Sequence, residues 1–265
     1  MLVVFRMLGP FEVRGVNGQR ICVHRRKQRA LLALLVVRAG RPAGVRELVD
    51  ALWGQQPPAS ARANLHSYVC GVRRLLAGRA AEGGPQLMTT PSGYRLHFRA
   101  EDSDAAVFEG LATQGRRAVA DGRAEEAAEV LTRALGMWQG RVLQDLESYD
   151  WSQPVASRLE ELRLRVVEDR ARARLLLRQH ADAAVDLAEV TAVHPLRETL
   201  WHHYLLALYQ ADRRTDALLA YRKLCAALDD ELGVKPTAAL QSLYHRMREG
   251  ERARPDVPLR PTPRR

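Results

Sequence analysis

The hydrophobic period changes three times along the chain and the charge is skewed toward one end. Together these predict a mainly α protein with a small β component. Up to about Val23 apolar residues alternate as in strands, from Arg25 they recur every three to four residues as in helices, and residues 87–99 alternate again. Beyond Arg99 the pattern is helical, with almost no strand signal. Residues 1–99 hold 16 Lys or Arg against 4 Asp or Glu, a net +12, whereas residues 100–265 hold 25 against 27, a net −2. An asymmetry of this kind is expected when one domain binds a polyanion.

The N-terminal block carries Val3, Phe5 and Met7, then Phe11 and Val13, with turns at Gly9-Pro10 and Asn17-Gly18. This is the pattern of a small antiparallel meander. Three helical pieces follow. The first, from Arg25, contains an apolar run from Leu31 to Val37, too short to span a membrane. The second, residues 45–53, aligns Val45, Leu48, Val49 and Leu52 on one stripe and ends at Gly54. Ser60 is an N-cap residue for the third, residues 61–76, whose core stripe is Leu65, Val69, Val72 and Leu76. Two short strands then flank Pro91-Ser92-Gly93 as a hairpin. Strands, three helices and a hairpin within 1–99 are the plan of a winged helix-turn-helix, and the leading strands resemble the OmpR/PhoB-type variant.

In residues 100–249 three segments resemble one another: Gly122 to Ala128, His180 to Val185, and Arg214 to Leu219. The pairs Asp182-Ala183 and Asp216-Ala217 are 34 residues apart, the period of tetratricopeptide helix pairs. An all-α, tetratricopeptide-like domain is therefore expected here. Residues 250–265, with four Pro and five Arg, are expected to form a disordered basic tail.

The third helix presents small or hydrogen-bonding residues opposite its core stripe: Ala63, Ser67, Cys70, Gly71 and Arg74, flanked by Arg62, His66 and Arg73. Such a face fits a DNA major groove, where Arg favours guanine and Asn or Ser contacts several base edges. Arg62, Asn64, His66 and Ser67, near the helix start, are candidate base contacts, and Arg73 and Arg74 candidate phosphate contacts. Tyr68 borders the core stripe and is assigned to packing. Arg25, Arg26, Lys27 and Arg29 crowd the start of the first helix, where the helix dipole disfavours cations unless an anion is present. In the hairpin Arg95, His97 and Arg99 share one face, and with Thr89 and Thr90 they are candidates for backbone or minor-groove contact.

Enzymatic signatures are absent. None of the three Lys lies in a P-loop, and neither HExxH nor GxSxG occurs. The adjacent His202-His203 is assigned to a packed helix rather than to a metal site. Three scattered cysteines form no disulfide framework or zinc site, consistent with a reducing cytoplasm. The start of the chain lacks a charged segment ahead of its apolar stretch, so a signal peptide is not expected. Neither cofactor nor metal is implied.

Several stretches are similar to the SARP family of actinomycete antibiotic-biosynthesis activators. These are residues 26–35, 46–54, 64–76 and 92–96, and in the helical half Trp201 to Tyr209, Ala217 to Leu228 and Glu231 to Pro236. The resemblance covers about residues 2–248 and departs at Cys70-Gly71, where a small hydroxyl residue and an Arg are more common. It implies a short-form, non-enzymatic transcriptional activator of a secondary-metabolite gene cluster, with a bacterial transcriptional activator domain in its helical half. It further implies binding to double-stranded promoter direct repeats as a side-by-side pair, recruitment of RNA polymerase holoenzyme, and residence at the cytoplasmic nucleoid. By the same resemblance, the loop of Gly54, Gln55, Gln56, Pro57, Pro58 and Ala59 faces polymerase. A repressor, a ligand-gated regulator sensing through the helical repeats, and a scaffold binding RNA or an acidic protein patch remain open. Against RNA stands the lack of exposed aromatics on a sheet.

Overall fold

A computed structural model describes residues 4–15, 17–77 and 84–250. The expected tail beyond Gly250 lies outside the described residues, as does Val3 of the expected first strand. Strands β1 (Val4–Arg6), β2 (Glu12–Arg14) and β3 (Arg20–Ile21) form the antiparallel meander. Phe5 pairs with Val13 and Val13 with Ile21, so the register aligns three buried side chains in one row. Helix α1 (Arg26–Val37) is buried at every position from Ala30 to Val36 and occupies the centre of the core. Helices α2 (Val45–Trp53) and α3 (Ala61–Ala77) pack on α1 and on each other. The wing consists of β5 (Gln86–Thr90) and β6 (Gly93–His97), joined by a tight turn at Pro91-Ser92.

The wing holds a third strand that periodicity did not reveal. β4 (Ala43–Gly44) pairs with β6, so the sheet order is β4-β6-β5 and β5 is an edge. A two-residue strand carries no alternation to detect. α2 begins directly after β4, and the Glu47 carboxylate accepts a hydrogen bond from the Gly44 N–H at 3.3 Å. This satisfies a donor at the exposed helix start that has no partner within the helix.

Among the described residues seven α-helices follow: α4 (Asp104–Ala120), α5 (Ala124–Leu135), α6 (Ser152–Leu176), α7 (His180–Val193), α8 (Glu198–Gln210), α9 (Arg214–Leu232) and α10 (Ala238–Glu249). The chain separates into two compact units, residues 1–113 with 133–164 and residues 114–132 with 165–265. The change of period at residue 99 is therefore not where the contacts divide.

The reason lies in the loop between β1 and β2. The buried N–H groups of Met7 and Leu8 donate to the Asp104 carboxylate at 2.9–3.1 Å. Phe11 N–H donates to Asp145 Oδ1 at 2.7 Å. The carbonyls of Leu8 and Met7 accept from Gln139 N–H and Leu143 N–H at 2.8 and 3.2 Å. Phe5 bridges Ser103, and Phe108 meets Trp138 edge to face at 5.3 Å. Each buried donor left without its acceptor would cost about 1–3 kcal/mol. The first 99 residues thus contain the winged-helix elements but not all of their hydrogen-bond partners.

In the second unit the resembling segments adopt one geometry. Gly122, Arg178 and Asp212 all have positive φ, at 75°, 59° and 60°. After each, the next N–H bonds to a carbonyl five residues back: Arg123 to Ala118, Gln179 to Arg174 and Arg213 to Leu208, all at 2.9 Å. This closes one helix and starts the next. Five residues beyond each positive φ stands Ala127, Ala183 or Ala217, all 0% exposed. In the same unit Tyr221 stacks on Tyr244 at 4.3 Å within the core of α7 to α10.

Burial pushes the Asp104 carboxyl up to about 6, and the Met7 and Leu8 N–H groups only partly offset it. Because the folded value lies above the ordinary 3.8, this group's contribution is complete below pH 3.8 and is lost as pH rises through about 6. Relative to Asp104→Asn, the wild type should therefore lose about 2 kcal/mol of stability between pH 4 and pH 7. Urea unfolding of both proteins across that range measures the difference.

Candidate nucleic-acid interface

The core stripe of α3 is buried as its spacing requires, at Leu65, Val69, Val72 and Leu76, with Ala61 added at the start. That burial fixes the rotation of the helix and turns Arg62, His66, Cys70 and Arg74 outward, one per turn. Ala63 and Ser67 are exposed beside them. Arg62 and His66, expected on the flank, thus stand on the outward face. The row from Arg62 to Arg74 spans about 18 Å at 1.5 Å per residue. No hydrogen bond or ion pair ties the side chains of Arg25, Arg62, His66, Ser67 or Arg74 to other described residues.

Other sequence candidates are engaged within the protein. Asn64 is half-buried and donates from Nδ2 to Ser60 Oγ at 3.1 Å. Gly71, expected on the outward face, is half-buried against α1. A Cβ there would lie 2.6 Å from Gln28 Nε2, so the glycine lets that side chain lie against α3. Arg73 donates from Nε to the Leu87 carbonyl at 2.9 Å and from Nη2 to Thr89 Oγ1 at 2.6 Å.

The basic start of α1 is likewise partnered. Lys27 Nζ donates to the Leu52 carbonyl at 2.6 Å and sits 4.8 Å from the Trp53 ring, which in turn stacks on Tyr68. Burial, with Arg26 nearby, lowers the Lys27 pKa. Lys27 therefore caps the C-terminal end of α2, where carbonyls lack partners and a cation is favoured. Arg26 donates to Ser148 Oγ at 2.5 Å and lies over Tyr149, and Arg29 pairs with Asp145 at 3.1 Å. The dipole repulsion read as a sign of a missing anion is thus relieved within the fold for three of the four cations, leaving Arg25 exposed. Nothing in the sequence marks residues 145–149 as the partners of Arg26 and Arg29, since the separation exceeds 100 residues.

On the wing, the pairing register places Met88 with Arg95, Gln86 with His97 and Thr90 with Gly93 on one face. Thr89 pairs with Tyr94 and Leu87 with Leu96 on the other. Thr89 and Thr90 therefore point to opposite faces, and only Thr90 joins the Arg95 face. Arg95 Nη2 approaches the Met88 sulfur at 3.7 Å. Residues 54–59, the loop before α3, are all exposed, and Gly54 takes a φ of 68° to end α2. In the second unit, His203 Nδ1 bonds the Thr199 carbonyl at 2.8 Å and burial lowers His202 to about 4, as befits a packed helix. Among the described residues no cluster of three metal-ligating side chains occurs, and no helix is long and apolar enough to cross a membrane.

A family model described as the bacterial transcriptional activator domain matches residues 103–248. The chain belongs to the SARP family of transcriptional regulators. This SARP chain is 38% identical over 261 residues to the regulatory protein DnrI of Streptomyces peucetius, covering 95% of the chain and 96% of DnrI. It is 37% identical over 243 residues to the transcriptional regulatory protein EmbR of Mycobacterium tuberculosis, covering 92% of the chain but only 62% of EmbR. The solved structure of M. tuberculosis EmbR with a low-affinity phosphopeptide superposes with a TM-score of 0.88 at 36% identity, over 96% of this chain and 66% of EmbR's. The regulatory protein AfsR of Streptomyces coelicolor is 37% identical over 251 residues, 94% of this SARP chain and 24% of AfsR.

The wing of this SARP depends on Gly93. A Cβ there would lie 2.1 Å from the Ala43 carbonyl oxygen and 3.0 Å from Gly44 Cα, both backbone atoms. Gly93→Ala should therefore separate β4 from β6 and cost about 1–3 kcal/mol in urea unfolding. Gly110→Ala, in an exposed helix position with open space, should instead stabilise by about 0.5–1 kcal/mol.

Proposed function

We propose that the chain is a sequence-specific DNA-binding transcriptional activator of a secondary-metabolite gene cluster. In this reading residues 1–99 form the DNA-binding domain and residues 100–249 the activator domain. The observation that carries it is the exposed, unpartnered row Arg62, His66, Cys70 and Arg74, with Ser67 beside it, on a helix whose opposite stripe is buried. A basic face of small side chains suits the major groove, about 12 Å wide. Arg62, His66 and Ser67 contact bases, with Asn64 holding the helix start through Ser60. Arg25, Arg74, Thr90 and Arg95 contact phosphates or the minor groove.

Family membership supports the remaining parts of the proposal. Two copies bind side by side on promoter direct repeats at the nucleoid, and the exposed loop of residues 54–59 meets RNA polymerase holoenzyme. One observation favours a ligand-gated variant of this reading. A cavity of about 540 Å³ in the second unit is lined by Tyr221, Cys225, Lys235, Tyr244 and His245.

Arg62→Ala should weaken binding to promoter DNA by about 1–3 kcal/mol while leaving scrambled duplex almost unchanged. Arg95→Ala should weaken both duplexes alike and make the dependence on log salt shallower by about one unit. Fluorescence anisotropy titrations at several salt concentrations measure both effects. Equal affinity of the wild type for promoter and scrambled duplex would refute sequence-specific binding.

A further inference from the structure

We propose that Arg73 is a positioning residue that sets the angle between the recognition helix and the wing, rather than a DNA contact. The inference rests on the DNA-binding reading above and reassigns one of its cations.

β5 is the edge strand of the β4-β6-β5 sheet, so its outer backbone groups have no ladder partner. The Leu87 carbonyl is one such group, and Arg73 Nε supplies its donor at 2.9 Å. The same guanidinium donates from Nη2 to Thr89 Oγ1 at 2.6 Å, two residues further along the strand. A planar fork bound at two successive points on one strand fixes direction as well as distance. Thr89 in turn lies two residues before the wing turn and pairs with Tyr94. The anchor is therefore close to the part of the wing that carries Thr90 and Arg95.

Arg73 and Arg74 are adjacent but not alike. Arg74 is exposed with no partner, whereas Arg73 is half-buried with two. Leu87, whose carbonyl it holds, is itself buried against the core, so the anchor joins core, helix and wing. α3 and the wing are linked in sequence only through residues 78–85. A contact outside that connection is what keeps groove-reading residues on α3 in step with backbone-reading residues on the wing.

The discriminating variant is Arg73→Lys, which keeps the positive charge but loses the fork. A phosphate-binding Arg73 would be replaced by Lys with little loss, whereas a positioning Arg73 would not. In the full-length protein without DNA, amide hydrogen exchange in β5 and β6 should be faster in Arg73→Lys than in wild type, with α1 unchanged. Affinity for promoter DNA should fall roughly tenfold, the scale of one lost charge-assisted hydrogen bond. Hydroxyl-radical protection should be lost on the wing side while protection over α3 remains. Unchanged exchange in β5 and β6, or promoter affinity equal to wild type, would overturn the positioning role. If the wild type itself does not distinguish promoter from scrambled DNA, the exchange result still reports the anchor and the DNA-binding reading is what fails.

Discussion

The fold depends on satisfying the buried backbone donors of the β1–β2 loop. Met7, Leu8 and Phe11 present N–H groups to an apolar interior, and the carboxylates of Asp104 and Asp145 are their acceptors. An unsatisfied amide in that setting costs as much as a lost core methylene or more, so the acceptors cannot be optional. Asp145 has a second function: its other oxygen holds Arg29 of α1. One carboxylate thereby links the meander, the central helix and the segment before α6. The winged helix and residues 133–164 form one compact unit for this reason, although the hydrophobic period and the charge both change near residue 99.

The same economy of partners separates structural cations from available ones. Arg26, Lys27, Arg29 and Arg73 are each held by a carbonyl, a hydroxyl or a carboxylate of the protein. Arg25, Arg62 and Arg74 are not. A net charge therefore overstates what is free to meet an anion, because Arg26, Lys27, Arg29 and Arg73 are already held. Lys27 illustrates the point: its site at the end of α2, above Trp53 and Tyr68, fixes α2 against α3 and so helps orient α3.

Much of this was legible in the sequence because it follows from periodicity. The stripe Leu65, Val69, Val72 and Leu76 determines which side of α3 faces outward, and the resembling Gly122, His180 and Arg214 segments mark repeated helix starts. What escaped detection has a common physical character. β4 is too short to alternate. The opposite orientation of Thr89 and Thr90 follows from the pleat once the register is known, and the register is set by the turn at Pro91-Ser92. The partners of Arg26, Arg29, Lys27 and Arg73 depend on chain segments brought together only by folding, for which composition and spacing carry no signal.

Under the proposed function, α3 reads DNA sequence in a regulator that acts through RNA polymerase. Hydroxyl-radical footprinting of the full-length protein on promoter DNA, with and without polymerase holoenzyme, tests it most directly. Directly repeated sites should be protected on one face of the duplex, and the footprint should extend toward the start site when polymerase is added. Uniform protection that ignores sequence, in either condition, would contradict it.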